Sequence, residues 1–482
     1  MRLLTFCLLL LNLASQAQPC REVIAYFPSW KWYDRNHLVN PASLDYSKYT
    51  IINYAFFRPE WDGSIVPFDP VADRALLLGD RRSKSPNSLA ANKSNEADRY
   101  LPSASLVDMA HQNGVRVVIS VGGWTMSEQF PSICASAEKR RRFAESCREI
   151  IGRFGVDGID IDWEYPGYQA HNGSSADREN FTLLLEAIRD TFDVMTAETG
   201  KSYLLTSCFG VSPNRLAFIE WHKVKHLLDF VNLITYDYYG LDHHQTNHHS
   251  PLFSPAKGLT GYDMSSTVQH LMEEYDVPAH KITVGIPFYG KAIKTKGDPD
   301  LHVASRKSRD AKTFPEDVGS PMFYNILARQ GLFNYQWDSL AQAPFLQGKH
   351  KLNTFVTYDD ERSVAQKARF ILEQNLAGAI VWDITGDYVE SSPGSGEVAG
   401  TPLATALCDA LCNRKKDEQP AAPTIFSLPP RLILVKQRSY APRLAHSSVV
   451  LKIEKKKKKD KKRKKRKKEK GGAPAPYFDR SW

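Results

Sequence analysis

Eight short runs of apolar and β-branched residues recur between Arg21 and Cys412, and stretches with helical periodicity separate them. The runs are 23–27, 49–57, 116–121, 156–162, 203–209, 230–236, 282–288 and 379–383. Each is hydrophobic nearly throughout, as parallel strands covered on both faces must be. Helical patterning falls between them, for instance at 139–154, 177–199, 265–275 and 363–374. Strand-then-helix units repeated eight times predict an α/β chain folded as a (β/α)8 TIM barrel. A doubly wound open sheet would need a Gly-rich phosphate loop after its first strand, and Phe27-Pro28-Ser29-Trp30 follows instead.

Two connections exceed ordinary loops. Residues 79–103 are polar, with many Ser, Asn, Lys and Arg, and read as a long surface loop. The stretch 291–355, about 65 residues between the seventh and eighth strands, is too long for a loop and carries its own apolar runs. It is expected to form a small α+β insertion on the C-terminal face of the barrel, where active sites lie.

The ends of the chain differ from its body. Residues 1–17 read as a secretory signal: Arg2 supplies the positive start, 3–13 the apolar core and Ser15-Gln16-Ala17 the small-x-small cleavage site. The apolar run is about half the ~20 residues of a membrane span. Pro19 before Cys20 argues against lipid attachment, so the reading is an exported, monomeric protein with its catalytic body at 18–412. The net charge of +9 belongs to a tail: residues 452–470 hold 15 Lys/Arg against three acids, a net +12, which leaves −3 elsewhere. The Pro- and Lys-rich segment 413–482 reads as a disordered, solvated extension, with contact to a polyanion as its sharper use. Without the signal six cysteines remain (Cys20, Cys134, Cys147, Cys208, Cys408 and Cys412), which allow 15 connectivities and show no metal-type CxxC spacing.

The segment Asp157-Gly158-Ile159-Asp160-Ile161-Asp162-Trp163-Glu164-Tyr165-Pro166-Gly167 carries the chemistry. Side chains alternate along a strand, so Asp160, Asp162 and Glu164 share one face and Ile159, Ile161 and Trp163 the other. Asp157 opens the strand out of that phase. The three acids are expected to form a ladder inside the barrel, climbing to its C-terminal rim. Acids that close cannot all ionise, so they share protons, and Glu164 at the top can stay protonated near neutral pH as a general acid. A structural strand would carry Val or Ile at these inward positions. A hard cation is a poorer explanation, because three acids on one strand give little angular coverage of an ion.

This ladder resembles the DxxDxDxE signature of glycoside hydrolase family 18, the chitinases and their relatives, met here by Asp157, Asp160, Asp162 and Glu164. Ser120-Val121-Gly122-Gly123-Trp124, Asn232 to Asp237, Gly285 to Gly290 and Gly378 to Asp383 resemble the family's motifs on the third, sixth, seventh and last strands. The resemblance implies substrate-assisted, retaining hydrolysis of β-1,4 linkages in chitin or chito-oligosaccharides without cofactor or metal. It assigns proton donation to Glu164, support to Asp162 and Asp160, and the steadying of the substrate's acetamido group to Tyr236 and Asp237. Trp382 is expected beneath the distorted sugar, and Trp124, Tyr26 and Phe56 along the groove. Gly123, Tyr165, Tyr289 and Lys291 are placed in the substrate site by the same motifs. Ile234, Lys291 and the sequence Thr206-Ser207-Cys208-Phe209 depart from the family pattern. An endo-β-N-acetylglucosaminidase acting on glycoproteins and a non-catalytic chitin-binding lectin are the competing readings. The histidines of His243-His244-Gln245-Thr246-Asn247-His248-His249 are read as part of a polar loop, not as a metal site.

Overall fold

A computed structural model of the chain describes residues 21–79, 105–241 and 243–412. The leader at 1–17, nearly all of the polar connection at 79–103 and the tail at 413–482 lie outside the described residues. Strands β1 (Glu22–Pro28), β2 (Ile51–Pro59), β3 (Arg116–Gly122), β4 (Gly158–Asp162), β5 (Leu204–Gly210), β6 (Phe230–Ile234) and β7 (Ile282–Pro287) come first. The insertion follows with β8 (Lys291–Thr295), β9 (Ser305–Arg309), β10 (Phe333–Asp338), β11 (Ala343–Gly348) and β12 (Thr354–Thr357), and β13 (Gly378–Trp382) completes the series. Strands β1 to β7 and β13 pair in parallel, and β1 bonds to both β2 and β13, so the sheet closes into a barrel.

Two strands are shorter than their apolar runs by two residues, each for a local reason. Strand β4 starts at Gly158, not at 156, because the Asp157 carboxylate accepts from Val117 N at 2.7 Å and faces His111 Nε2 at 2.8 Å. Strand β6 stops at Ile234, not at 236, because Thr235 N turns back to the Leu233 carbonyl at 2.9 Å and Asp237 adopts a φ of 59°.

Helices α1 (Ala137–Phe154), α2 (Asp177–Thr199), α3 (Met264–Glu274), α4 (Phe323–Arg329) and α5 (Glu361–Glu373) include those the periodicity predicts. Ser136 caps α1 through Lys139 N, and Gly155 ends it in the left-handed conformation. Between strands and helices lies the main apolar core, where Trp163 stacks on Phe130 with ring centroids 5.2 Å apart. A smaller core fills the barrel interior, with Ile24, Tyr26, Phe56, Val118, Cys208 and Ile380. The alternation along β4 and the residues just past it therefore separates Ile159, Ile161 and Trp163, which face the helices, from the acids, which face the axis.

The insertion is an antiparallel sheet in the order β9-β8-β12-β11-β10, accompanied by α4, and it runs two residues beyond the expected 355. Strand β8 leaves β7 after only Phe288-Tyr289-Gly290, which fixes the insertion beside the C-terminal ends of β6 and β7. Among the described residues no helix is long and apolar enough to cross a membrane. Cys134, Cys147, Cys208 and Cys408 are thiols, and Cys408 Sγ donates to the Lys48 carbonyl.

One buried ion pair ties the insertion's exit to the site. Lys367 on α5 donates to Asp359 Oδ2 at 2.6 Å and to Ser250 Oγ at 2.7 Å, and neither charged side chain is exposed. Ser250 Oγ in turn donates to the Thr235 carbonyl at 3.0 Å, directly before Tyr236 and Asp237. Asp360 and Ser363 form a capping box that holds the first turn of α5 beneath the pair. Replacing Lys367 by Met would strand the Asp359 carboxylate in the interior. We expect it to cost about 3–5 kcal/mol in urea unfolding, and Lys367→Met/Asp359→Leu to recover much of that loss.

Candidate active site

The ladder begins at Asp160, which is fully buried on the barrel axis. Its Oδ2 accepts from Tyr26 Oη on β1 at 2.9 Å and from Ser120 Oγ on β3 at 2.8 Å. Its Oδ1 accepts from Thr206 Oγ1 on β5 at 2.5 Å and from Asn232 Nδ2 on β6 at 3.1 Å. The Asn232 amide is oriented by Thr283 Oγ1, which donates to its oxygen at 2.7 Å. Four strands thus converge on one carboxylate. Burial raises the Asp160 carboxyl above its ordinary range, and these donors work against the rise.

Asp162 sits one step up, at the end of β4, and is 4% exposed. Among the described residues its Oδ1 meets no hydrogen-bond partner. Burial, then the neighbouring Glu164 and Asp160 carboxyls, push the Asp162 carboxyl well above its ordinary range. An uncommitted buried oxygen at this height is available to a ligand that brings its own donor.

Glu164 lies just past the strand, partly exposed at the rim. Its backbone N–H donates to Ser127 Oγ at 2.8 Å, and its carbonyl faces His171 Nδ1 at 2.7 Å. Burial pushes its carboxyl up to about 7, against hydrogen bonds from the Tyr165 hydroxyl and the Trp124 N–H. The Asp237 charge adds to the rise and Arg215 opposes it. Gly122 and Gly123 shape the floor beside it at φ values of 115° and 82°. A Cβ on Gly122 would lie 2.3 Å from the Asp162 carbonyl, and one on Gly123 would lie 2.5 Å from the Phe56 ring. No residue but glycine serves at either position.

Across the opening stands Asp237, with half of its side chain open to solvent. Tyr289 Oη donates to its Oδ1 at 2.5 Å, Lys291 Nζ lies at 2.8 Å and His249 Nδ1 at 3.4 Å. Enclosure alone would raise its carboxyl, but the Lys291 ammonium and His249 hold it below the usual carboxylate range. The site therefore holds acids pushed apart by their surroundings: Asp162 and Glu164 raised, Asp237 lowered.

The aromatic residues divide by depth. Trp382 stacks on Phe56 with centroids 5.7 Å apart and meets the edge of Tyr26 at 5.0 Å. Tyr26 and Phe56, expected along the groove, are 2% and 1% exposed and form the bed beneath Trp382. Trp30, which the sequence did not single out, stacks on Phe56 at 5.9 Å. Trp124 is 39% exposed at the opposite mouth and packs against Tyr165, Tyr168 and His171. The Arg215 guanidinium lies 3.7 Å from the centre of the Tyr165 ring. Tyr236 faces the edge of Tyr289 at 6.1 Å. The peptide bonds Ala55–Phe56, Glu164–Tyr165 and Trp382–Asp383 are cis.

One expectation needs correction. The run 243–249 is not uniformly a polar loop: His248 and His249 are fully buried. His248 faces Asp338 of the insertion at 3.2 Å, and the His249 N–H donates to Thr357 Oγ1 at 3.0 Å. The insertion covers these rings, which no local pattern could reveal. Cys208, noted only as a departure, lies 2.8 Å from Tyr26 Oη and 3.8 Å from Asp160 Oδ2. Ser127, Arg215 and His249 join the site without having been foreseen. Among the described residues no group of three or more His, Cys, Asp and Glu is arranged to hold a metal ion.

The family model for glycosyl hydrolases family 18 matches residues 22–387. The chain is 30% identical over 407 residues to Chitinase A1 of Niallia circulans, across 77% of this chain and 57% of that protein. It is 29% identical over 391 residues to Chitinase 1 of Aphanocladium album, across 78% of this chain and 83% of that one. The fold superposes on chitinase ChiA74 from Bacillus thuringiensis with a TM-score of 0.67 and 26% identity, covering 81% of this chain and 69% of that one. The chain thus spans a little over half the length of the first of these relatives.

Lys291 is the cation that sets the Asp237 charge. We expect Lys291→Met to raise the Asp237 titration by about one pH unit or more. Carboxyl NMR of aspartate-labelled protein would show it, and an unmoved titration would assign the low value to His249 and Tyr289.

Proposed function

Because the chain belongs to glycosyl hydrolases family 18, a family of glycosidases, we propose that it is a chitinase acting on β-1,4 linkages between N-acetylglucosamine units with retention of configuration. The observation that carries this reading is the unpartnered Asp162 Oδ1 beside a Glu164 carboxyl held near 7. A glycosidase whose substrate brings the nucleophile needs one proton donor and one group to hold the acetamido N–H, and no second nucleophilic carboxylate.

In this mechanism Glu164 gives its proton to the glycosidic oxygen as the bond to the leaving sugar breaks. The substrate's acetamido oxygen attacks the anomeric carbon from the other face, and Asp162 accepts the acetamido N–H and supports the positive charge that spreads over the ring. Asp160, saturated with donors, keeps the base of the ladder in place while Asp162 changes partners. Tyr236 and Asp237 hold the acetamido group from the far side. Water then opens the oxazolinium ring, and Glu164, now the base, takes back a proton. Trp382 offers its face to the apolar C–H surface of the distorted sugar. The insertion sheet walls the groove on the Asp237 side, which suits a long polymer better than the compact glycan of a glycoprotein. Residues 1–17 fit export of the protein to where such polymers lie, with 18–412 as its catalytic body.

Release of sugars from chitotetraose, with Glu164→Gln run in parallel, tests the reading. Wild type should cleave it with β-anomers appearing first, and Glu164→Gln should lose at least about 100-fold in kcat. Binding by both proteins with cleavage by neither would leave a lectin. Because Glu164 works in its protonated form, kcat/KM should fall as pH rises through about 7. An alkaline limb above pH 9 would remove Glu164 from the role of acid.

A further inference from the structure

The insertion carries a second concave site that the catalytic reading does not use. It is a cleft of about 740 Å³ between β8, β9 and the turns that follow β9 and β11. That volume lies within the range of small-ligand sites. Four cations line it: Lys294, Arg306, Lys312 and Lys351. One acid lies beneath them. Asp310 is buried and bonded to Lys294 Nζ at 2.8 Å and to the Thr313 and Thr354 hydroxyls at 2.6 Å each, so its carboxylate is already committed. Among the described residues Lys312 and Lys351 have no carboxylate within ion-pair distance, although both are exposed.

This charge is local. Residues 291–355 hold ten Lys/Arg against six Asp/Glu, a net +4, in a chain whose remaining balance is −3 once residues 452–470 are set aside. A concave surface with an excess of one sign of charge focuses its field on whatever enters. Chitin is uncharged and gains nothing from such a field, so the cleft is not an extension of the catalytic groove. Strand geometry agrees. Alternation along β8 turns Lys291 toward Asp237 and Lys294 to the opposite face of the sheet, roughly 10 Å further along at ~3.3 Å per residue.

The remaining lining indicates what kind of anion fits. Leu332, half exposed, and Leu352 give an apolar floor, and Ser308 and Asn353 offer neutral hydrogen-bonding groups at its edge. An inorganic phosphate would use the cations and leave the leucines wet. A sugar ring bearing carboxylate or sulfate groups uses all three: its charges meet the cations, its C–H face covers the leucines and its hydroxyls meet Ser308 and Asn353. We propose that this cleft binds an acidic polysaccharide, at a site on the far face of the insertion sheet from the catalytic groove. Held there, the protein can stay on a mixed matrix of acidic and neutral polymers while the groove remains open to a neutral chain.

Lysine footprinting of the full chain tests the proposal residue by residue, because the basic run at 452–470 would itself retain a polyanion on any column. The protein is acetylated with and without a sulfated heparin octasaccharide, a hyaluronan octasaccharide or inorganic phosphate, and each lysine is read by mass spectrometry. The expected result is protection of Lys294, Lys312 and Lys351 by at least one octasaccharide, with Lys291 unprotected and chitotetraose hydrolysis unchanged. Lys312→Gln/Lys351→Gln should weaken the protection of Lys294 about tenfold in midpoint concentration while hydrolysis stays at the wild-type rate. Protection confined to residues 452–470 would overturn the proposal. Equal protection by phosphate at the same concentration would also overturn it, since the leucine floor would then contribute nothing. The labelling is read independently of hydrolysis, so an inactive protein could still support the cleft and an active one could still refute it.

Discussion

The hydrogen-bond cage around Asp160 is the constraint on which the rest of the site depends. A carboxylate at the axis of a barrel is costly unless donors surround it. Here Tyr26, Ser120, Thr206 and Asn232 converge from four strands, and Thr283 orients one of them. That convergence requires the register of those strands to be correct to the residue, since a slip of one position would turn each donor outward. It also occupies Asp160 on both oxygens, which leaves Asp162, next up the ladder, with an oxygen to spare.

Above the cage the same protein shifts neighbouring acids in opposite directions. Burial raises Asp162 and Glu164, with Glu164 and Asp160 adding to the rise of Asp162, while Lys291 and His249 lower Asp237. The cation comes from the first residue of the insertion sheet, and the loop bearing His249 is fastened by Thr357 of that sheet and by the buried Lys367–Asp359 pair through Ser250. The insertion is therefore part of the electrostatics of the site as well as its wall.

The sequence made the barrel legible because strands buried on both faces leave unbroken apolar runs, and period-two alternation then separates Ile159, Ile161 and Trp163 from the acids. It also exposed Asp160, Asp162 and Glu164, since charge at inward strand positions has no cheap structural explanation. It did not expose Ser127, Arg215, Trp30 or His249. Each of these acts through contacts with residues tens of positions away, and none stands out by type or spacing. The depth of Tyr26 and Phe56 was hidden for a related reason: an aromatic at an inward position is the same in sequence whether it faces a ligand or supports the ring that does. The start of β4, misread by two residues, traces to a single side-chain contact, the Asp157 carboxylate taking Val117 N–H.

The acid ladder also bears on how such a protein can drift. Three carboxyls crowded on one strand are a standing cost to folding, kept only because the chemistry needs them. Exchange of Glu164 for a neutral side chain of similar shape would relieve Asp162 of a neighbour and leave the cage, the aromatic bed and the insertion wall in place. Such a change runs downhill in stability while ending catalysis. If the proposed hydrolysis is what the chain is selected for, a lineage released from that demand would slide toward a sturdier, inert sugar-binding descendant.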